Sequence, residues 1–305
     1  KDSVIFVNIK SDLNKKYAAL NQQAPETIAQ ELLLKERLKN GFQGEDDLLA
    51  FVKTYLTHTN HLSHPHYMGH QVAVPHDLSG IPELIHGTIN NPSSLYEMGP
   101  AGGTCEGFMI NWMLEKVGWL EGRDDYDFHF APGKASGVLT HGGSVANLTA
   151  LAAARAAIAP DAWTDGNPND LVVIGAASAH YSIARALSIL GLGKKAFYPV
   201  AVDKNEVLLM EDLPRVYAKA IADGKRVMCV VANACATSTG LFDPIDAMGD
   251  FCQENNLWFH VDGAHGAAAL AGPQSKQYVK GIEKARSLIW DAHKMMRVPA
   301  LCTDG

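Results

Sequence analysis

Thr140-His141-Gly142-Gly143-Ser144-Val145-Ala146-Asn147-Leu148 sets paired glycines and a serine between an apolar run and an alanine-rich stretch. Paired glycines let a ligand approach the backbone closely, and a helix start offers unpaired N–H groups and a favourable dipole to an anion. The segment reads either as a phosphate cradle, with Ser144 adding a hydroxyl, or as an ordinary strand-to-helix turn capped by Ser144. His260-Val261-Asp262-Gly263-Ala264-His265-Gly266 follows a second apolar run. It puts Asp262 beyond the carboxyl end of a strand, where open α/β sheets bind their ligands. A carboxylate there would hold a proton on a facing pyridine nitrogen; capping the next turn is the plainer use. Trp290-Asp291-Ala292-His293-Lys294-Met295-Met296 ends a third run. A lysine flanked by apolar residues at a strand end is open to desolvation, which makes its amine nucleophilic; the ordinary fate of a lysine is solvated surface.

An anion-binding turn, a strand-end acid and a strand-end amine, in that chain order, answer the needs of one cofactor. Pyridoxal 5′-phosphate (PLP) requires a phosphate site, an acid at its ring nitrogen and a lysine that holds its aldehyde carbon as a Schiff base. The elements that must position such a set are legible too. Continuous apolar runs predict strands at residues 137–140, 171–175, 195–199, 227–232, 258–261 and 287–290. Helical stretches at 144–158, 182–190, 213–223 and 245–255 alternate with them. Such alternation predicts an α/β fold with a mainly parallel sheet and right-handed crossovers. Ahead of it, residues 26–38 bring Ile28, Leu32, Leu33 and Leu38 together at helical spacing, with Gly41 as a stop. Residues 46–56 repeat the amphipathic theme, and 58–100, rich in His, Pro, Gly and Asn, read as ordered but irregular.

HPHYMGHQ (64–71), YEMGP (96–100), THGGSVANL (140–148), SAHYSIARA (178–186), HVDGAHG (260–266) and WDAHKMM (290–296) together resemble the group II PLP-dependent amino-acid decarboxylases. The resemblance runs from about His64 to the end of the chain. It implies the large domain of the aspartate-aminotransferase architecture (fold type I), over residues 85–305, behind an N-terminal helical and extended segment, 1–84. By matching position it implies Gly143 and Ser144 as phosphate ligands and His180 as the residue that stacks on the ring and meets the substrate carboxylate. Without the family, a structural histidine beside a helix start would be the reading of His180. The resemblance likewise implies Thr237 lining the ring, Asp262 at the ring nitrogen, Ala264 on the ring face opposite His180, His293 at the phosphate, and Lys294 as the Schiff-base lysine. His70 and Gln71 would line the substrate pocket, where polar groups suit an acidic side chain better than an aromatic one. The implied reaction is decarboxylation of glutamate, aspartate or cysteine sulfinate. Members of the family continue past the equivalent of Gly305 with a catalytic loop and a small C-terminal domain, so the chain is expected to be inactive or poorly soluble alone. A homodimer is implied as well, with the helices before Leu56 as contributors.

The bulk properties exclude other classes. Charged residues make up 19% of the 305-residue chain and hydrophobic ones 47%, which is a globular and not a disordered composition. A net charge of −7 leaves no footprint for nucleic acid. Five widely spaced cysteines, with no CxxC pair, suit free thiols in a reducing, cytoplasmic setting. No apolar run approaches the roughly 18 residues that span a bilayer. Six histidines lie between His58 and His76, but their spacing matches no metal template, so pocket-lining or structural roles are expected and a metal is not. Two alternatives remain beside the decarboxylase: a PLP lyase or aldehyde synthase on the same fold, and a catalytically dead relative that acts by binding. Within the decarboxylase reading itself, a diaminobutyrate or aromatic substrate stays open.

Overall fold

The apolar runs of the second half become strands of one sheet. The computed structural model describes residues 11–69, 72–92, 95–120, 133–300 and the backbone of 303–304. Strands β1 (Leu139–Thr140), β2 (Leu171–Ala176), β3 (Phe197–Val200), β4 (Arg226–Asn233), β5 (Phe259–Asp262), β6 (Ser287–Asp291) and β7 (Thr303–Asp304) lie in the order β1-β7-β6-β5-β4-β2-β3. From β6 to β3 all pairings are parallel; β7 runs antiparallel to both β6 and β1. All residues of β2 and β5 are buried, as unbroken apolar runs require when helices cover both faces of a sheet.

Two compact units divide the chain at Leu84/Ile85. In the first, α1 (Pro25–Glu31), α2 (Leu34–Asn40) and α3 (Glu45–His58) follow one another. The single helix expected over 26–38 is broken, because Leu33 takes a left-handed conformation at φ 48°. The carbonyl of Leu32 left free there accepts from the Arg37 guanidinium, which also pairs with Asp47 at 2.5 Å. As a result Leu32 is buried while Leu33 and Leu38 are exposed, so the expected apolar cluster does not form. The stretch 58–100 is also more regular than its composition suggests. It holds α4 (Gly80–Ile89), within which the unit boundary falls, and a 3₁₀ turn at Tyr96–Met98.

The described histidines of this unit have structural partners. His61 stacks on Tyr17 at 5.2 Å and bonds the Leu56 carbonyl, and His58 meets Glu31 at 2.8 Å. His64 and His76 each accept a backbone N–H two residues on, bracing turns.

The second unit adds α5 (Pro100–Val117), α6 (Gly143–Ile158), α7 (Tyr181–Ile189), α8 (Leu213–Ala222) and α9 (Ile245–Glu254). α6 packs on β6, β4 and β7, and α8 and α9 pack on the β2–β5 region. Strand 195–199 begins later than expected because Lys194–Ala196 forms a 3₁₀ turn. No helix among the described residues is long and apolar enough to cross a membrane.

Candidate active site

β5 and β6 are neighbours in register Asp262↔Ile289, and each ends on an aspartate, Asp262 and Asp291. The chain beyond β5 loops so that the Ala264 carbonyl accepts from the Asp291 amide at 3.0 Å, tying the two strand ends together. Past β6 a tight turn, with the Lys294 amide bonded to the Asp291 carbonyl, folds the lysine back over its own strand end. Lys294 Nζ then stands 3.2 Å from Asp291 Oδ2, and His293 Nε2 stands 3.6 Å from the same oxygen. Asp291 is 3% exposed in its side chain and Lys294 24%, so the amine is sheltered without being sealed off.

The start of α6 lies against this pair. Its N-cap is Gly142 at φ 93°, a conformation that L side chains rarely adopt. Among the described residues no side chain caps the helix, which leaves its first N–H groups and dipole for an anion. Ser144 is therefore not the cap; it lies inside the first turn. A Cβ on Gly143 would come within 3.0 and 3.1 Å of the two Asp291 carboxylate oxygens, so glycine is what allows the helix start to close on the strand end.

One turn along α6, Asn147 is 1% exposed and organises a buried polar chain. Its Nδ2 donates to Asp262 Oδ2 and to Ser182 Oγ, both at 2.9 Å, and its Oδ1 faces His260 Nε2 at 2.9 Å. His260 Nδ1 meets Ser287 Oγ at 2.8 Å, and Ser287 Oγ accepts the Trp258 indole N–H at 2.8 Å. The other carboxylate oxygen of Asp262 accepts from the Ala264 amide at 3.3 Å. His180, at the N-cap of α7, takes the Ser182 amide and hydroxyl on Nδ1 at 3.3 and 2.8 Å. A nitrogen that accepts carries no proton, so the His180 proton belongs on Nε2.

Burial lowers the basicity of His180 more than any other influence. The Asp262 charge opposes that shift, and Lys294 reinforces it. The same sensitivity to Asp262 and Lys294 extends to Cys235, whose thiol is pushed up mainly by burial. His260 is driven down to about 4 by burial, with Asp262 and Ser287 pulling the other way, so it is neutral. His265 is lowered by burial and by the Lys294 charge.

The fold thus brings Gly143, Ser144, His180, Asp262, Ala264, His293 and Lys294 to the segments that follow strands β1, β2, β5 and β6, around one amine and two buried carboxylates. Thr237 sits on the exposed turn that follows β4. His70 and Gln71 lie outside the described residues. Sequence reasoning gave no role to Asn147, Ser182, His260 or Asp291, although all four stand inside or beside the quoted motifs. The available signal was an amide one helical turn after Gly143 and a polar residue three before Lys294. An arrangement of this kind can bind an anion at α6, present a nucleophilic amine, and offer a fixed carboxylate to a cationic ring.

The chain matches the pyridoxal-dependent decarboxylase conserved domain over residues 33–304. It is 29% identical over 294 residues to the acidic amino acid decarboxylase GADL1 of Xenopus tropicalis, covering 96% of this chain and 54% of that protein. It is also 29% identical over 283 residues to the cysteine sulfinic acid decarboxylase of Mus musculus, covering 92% and 54%. The crystal structure of mouse CSAD superposes with a TM-score of 0.86 at 27% identity, over 99% of this chain and 61% of that one. The chain therefore spans about half the length of the curated relatives it matches. With a family match across most of its residues and a fold that superposes on a solved member, the chain belongs to the pyridoxal-dependent decarboxylase family.

Proposed function

We propose that this chain forms the cofactor-binding core of an enzyme that decarboxylates an acidic L-amino acid with PLP. The observation that carries the reading is the meeting of Lys294, Asp262 and the uncapped start of α6 at the ends of adjacent parallel strands. The acidic substrate is supported by the names of the relatives, acidic amino acid decarboxylase and cysteine sulfinic acid decarboxylase. The residues fit the cofactor. The helix start that Gly143 lets close on Asp291 carries no side-chain cap, Asp262 is a buried acid, and Asp291 Oδ1 and His265 Nδ1 are buried with no hydrogen-bond partner among the described residues.

In this reading Gly143 and Ser144, with His293, bind the phosphate group through backbone N–H, hydroxyl and imidazole. Lys294 Nζ is the attachment point. Asp262 holds the proton on the ring nitrogen, and Ala264 packs against one ring face while His180 packs on the other. The His180 Nε2–H is then free to orient the substrate carboxylate, a role that a neutral ring, depressed by burial, performs without changing charge. Thr237 would line the ring edge, and His70 and Gln71 would meet the substrate side chain. PLP supplies the electron sink that accepts the bond pair released when the Cα–carboxylate bond breaks. The protein contributes orientation, shelter from water and the fixed charge of Asp262.

Carbon dioxide release from glutamate, aspartate, cysteine sulfinate and an aromatic amino acid, measured on the full-length holoenzyme and on its Lys294→Ala variant, tests the reading. Release from an acidic substrate that vanishes in Lys294→Ala is the expected result. Bound PLP without release from any of them would refute the decarboxylase. A homodimer belongs to the same proposal, supported by the exposed Leu48, Leu49, Val52 and Tyr55 of α3. Sedimentation equilibrium tests it, and a monomer at micromolar concentration would count against it. A cytoplasmic location is supported by four free thiols among the described residues.

A further inference from the structure

We propose that Asn147 is a positioning residue, whose amide, held by a one-way hydrogen-bond relay from Trp258 through Ser287 and His260, aims the Asp262 carboxylate at the ring nitrogen of the cofactor. The proposal rests on the PLP reading above and goes beyond it by assigning the groups that orient the acid.

The direction of the relay follows from donor and acceptor chemistry. The indole N–H of Trp258 can only donate, so Ser287 Oγ accepts from it and has its own hydrogen left for His260 Nδ1. His260, neutral and 0% exposed, must then carry its proton on Nε2 and donate to Asn147 Oδ1. That pins the oxygen end of the amide and turns Nδ2 toward Asp262. From the other end the result is the same: a carboxylate only accepts, so it selects the NH₂ face of Asn147. Reversing the amide would oppose two acceptors at Asp262 and two donors at His260, each within 2.9 Å.

A buried asparagine is also an expensive choice here. Among the alanines of α6 it lowers helix propensity and must have all its polar atoms satisfied. A purely structural helix would place another alanine or a leucine at this inward position. The second Nδ2 hydrogen goes to Ser182, a branch that leads toward His180 and away from Asp262. Ser182 therefore serves as an internal control.

The test compares binding of PLP with binding of its analogue in which carbon replaces the ring nitrogen, by fluorescence titration of the cofactor-stripped full chain. The analogue keeps phosphate and aldehyde but has no nitrogen for Asp262. Wild type should prefer PLP by roughly 10- to 100-fold, the range of a charge-assisted hydrogen bond. Asn147→Ala should erase most of that preference, and Ser182→Ala should keep it. Where Asn147→Ala does not fold, Asn147→Ser, too short to span both Asp262 and His260, is read in the same way. An Asn147 variant that weakens both ligands equally and keeps the preference would overturn the role assigned to Asn147. A wild type that binds both ligands alike would overturn Asp262 as the ring-nitrogen partner and the proposal with it, whereas one that binds neither would refute the reading of the site as a PLP site.

Discussion

Asp262 and Asp291 end neighbouring strands and are almost equally buried, at 7% and 2% exposed, yet their surroundings are opposite. Asp262 accepts from two neutral donors, the Asn147 amide and the Ala264 backbone. Asp291 faces a lysine at 3.2 Å and a histidine at 3.6 Å, and leaves Oδ1 with no partner among the described residues. Neutral donors hold a carboxylate in place without cancelling its charge, which is what the proposed contact of Asp262 with a cationic ring requires. Asp291 is largely balanced by Lys294 at its own strand end. Burial therefore does not separate the two roles; the partner set does.

The strongest way to break this contrast is Asp262→Asn. One end of the new amide satisfies Asn147, but the other points a donor at the Ala264 N–H. With the fixed charge gone as well, kcat should fall on the order of 10²–10³-fold, the cost of losing one preorganised electrostatic group. Steady-state decarboxylation checks this, and a rate within a few-fold of wild type would reject the role given to Asp262.

Acid sharpens the contrast next, through His260. Its folded value of about 4 lies below the ordinary 6.5, so the unfolded chain binds more protons between those limits. Stability is complete above about 6.5 and is lost as pH falls toward 4, by at most about 1.4 kcal/mol per pH unit from this residue. His180 and His265, also lowered, act in the same direction. Urea unfolding at several pH values should show the decline, and His260→Gln should flatten it.

Gly143→Ala probes the Asp291 side. Its Cβ would press on both carboxylate oxygens at 3.0–3.1 Å, an overpacking expected to cost about 1–3 kcal/mol. Pairing it with Asp291→Ala should recover part of that loss, and strict additivity in the double-mutant cycle would show that the two do not press on each other. The smallest effect is expected for Asp291→Asn, about 1 kcal/mol. Lys294 keeps solvent access, and the orphaned oxygen loses no bond. A denaturation midpoint as low as that of Asp262→Asn would erase the distinction between the two acids.

Much of this site was legible before any coordinates. The apolar runs located β2, β4, β5 and β6 to within a residue or two, because a strand covered on both faces must be apolar throughout. The strand-end acid and amine and the glycine turn could be read because their chemistry depends on residue type and local position. Near the amino terminus the same logic overran. Helical spacing over 26–38 could not register that Leu33 would turn left-handed and that Arg37 would take the Leu32 carbonyl left free there. The described histidines of 58–76 were better served, since stacking on Tyr17 and bracing turns are ordinary uses of that residue.

By itself, then, the sequence determined the fold class, the alternation of strands and helices, and the glycine turn, strand-end acid and strand-end amine that the proposed site would use. Those properties are local or periodic, and hydrophobic pattern and side-chain chemistry carry them. Which groups hold which was decided only by tertiary structure. Asn147, Ser182, His260 and Ser287 lie up to 140 residues apart in the chain and meet because α6, α7, β5 and β6 pack together. A polar residue's partner depends on what burial brings within about 3 Å of it, and no spacing along one segment encodes that distance.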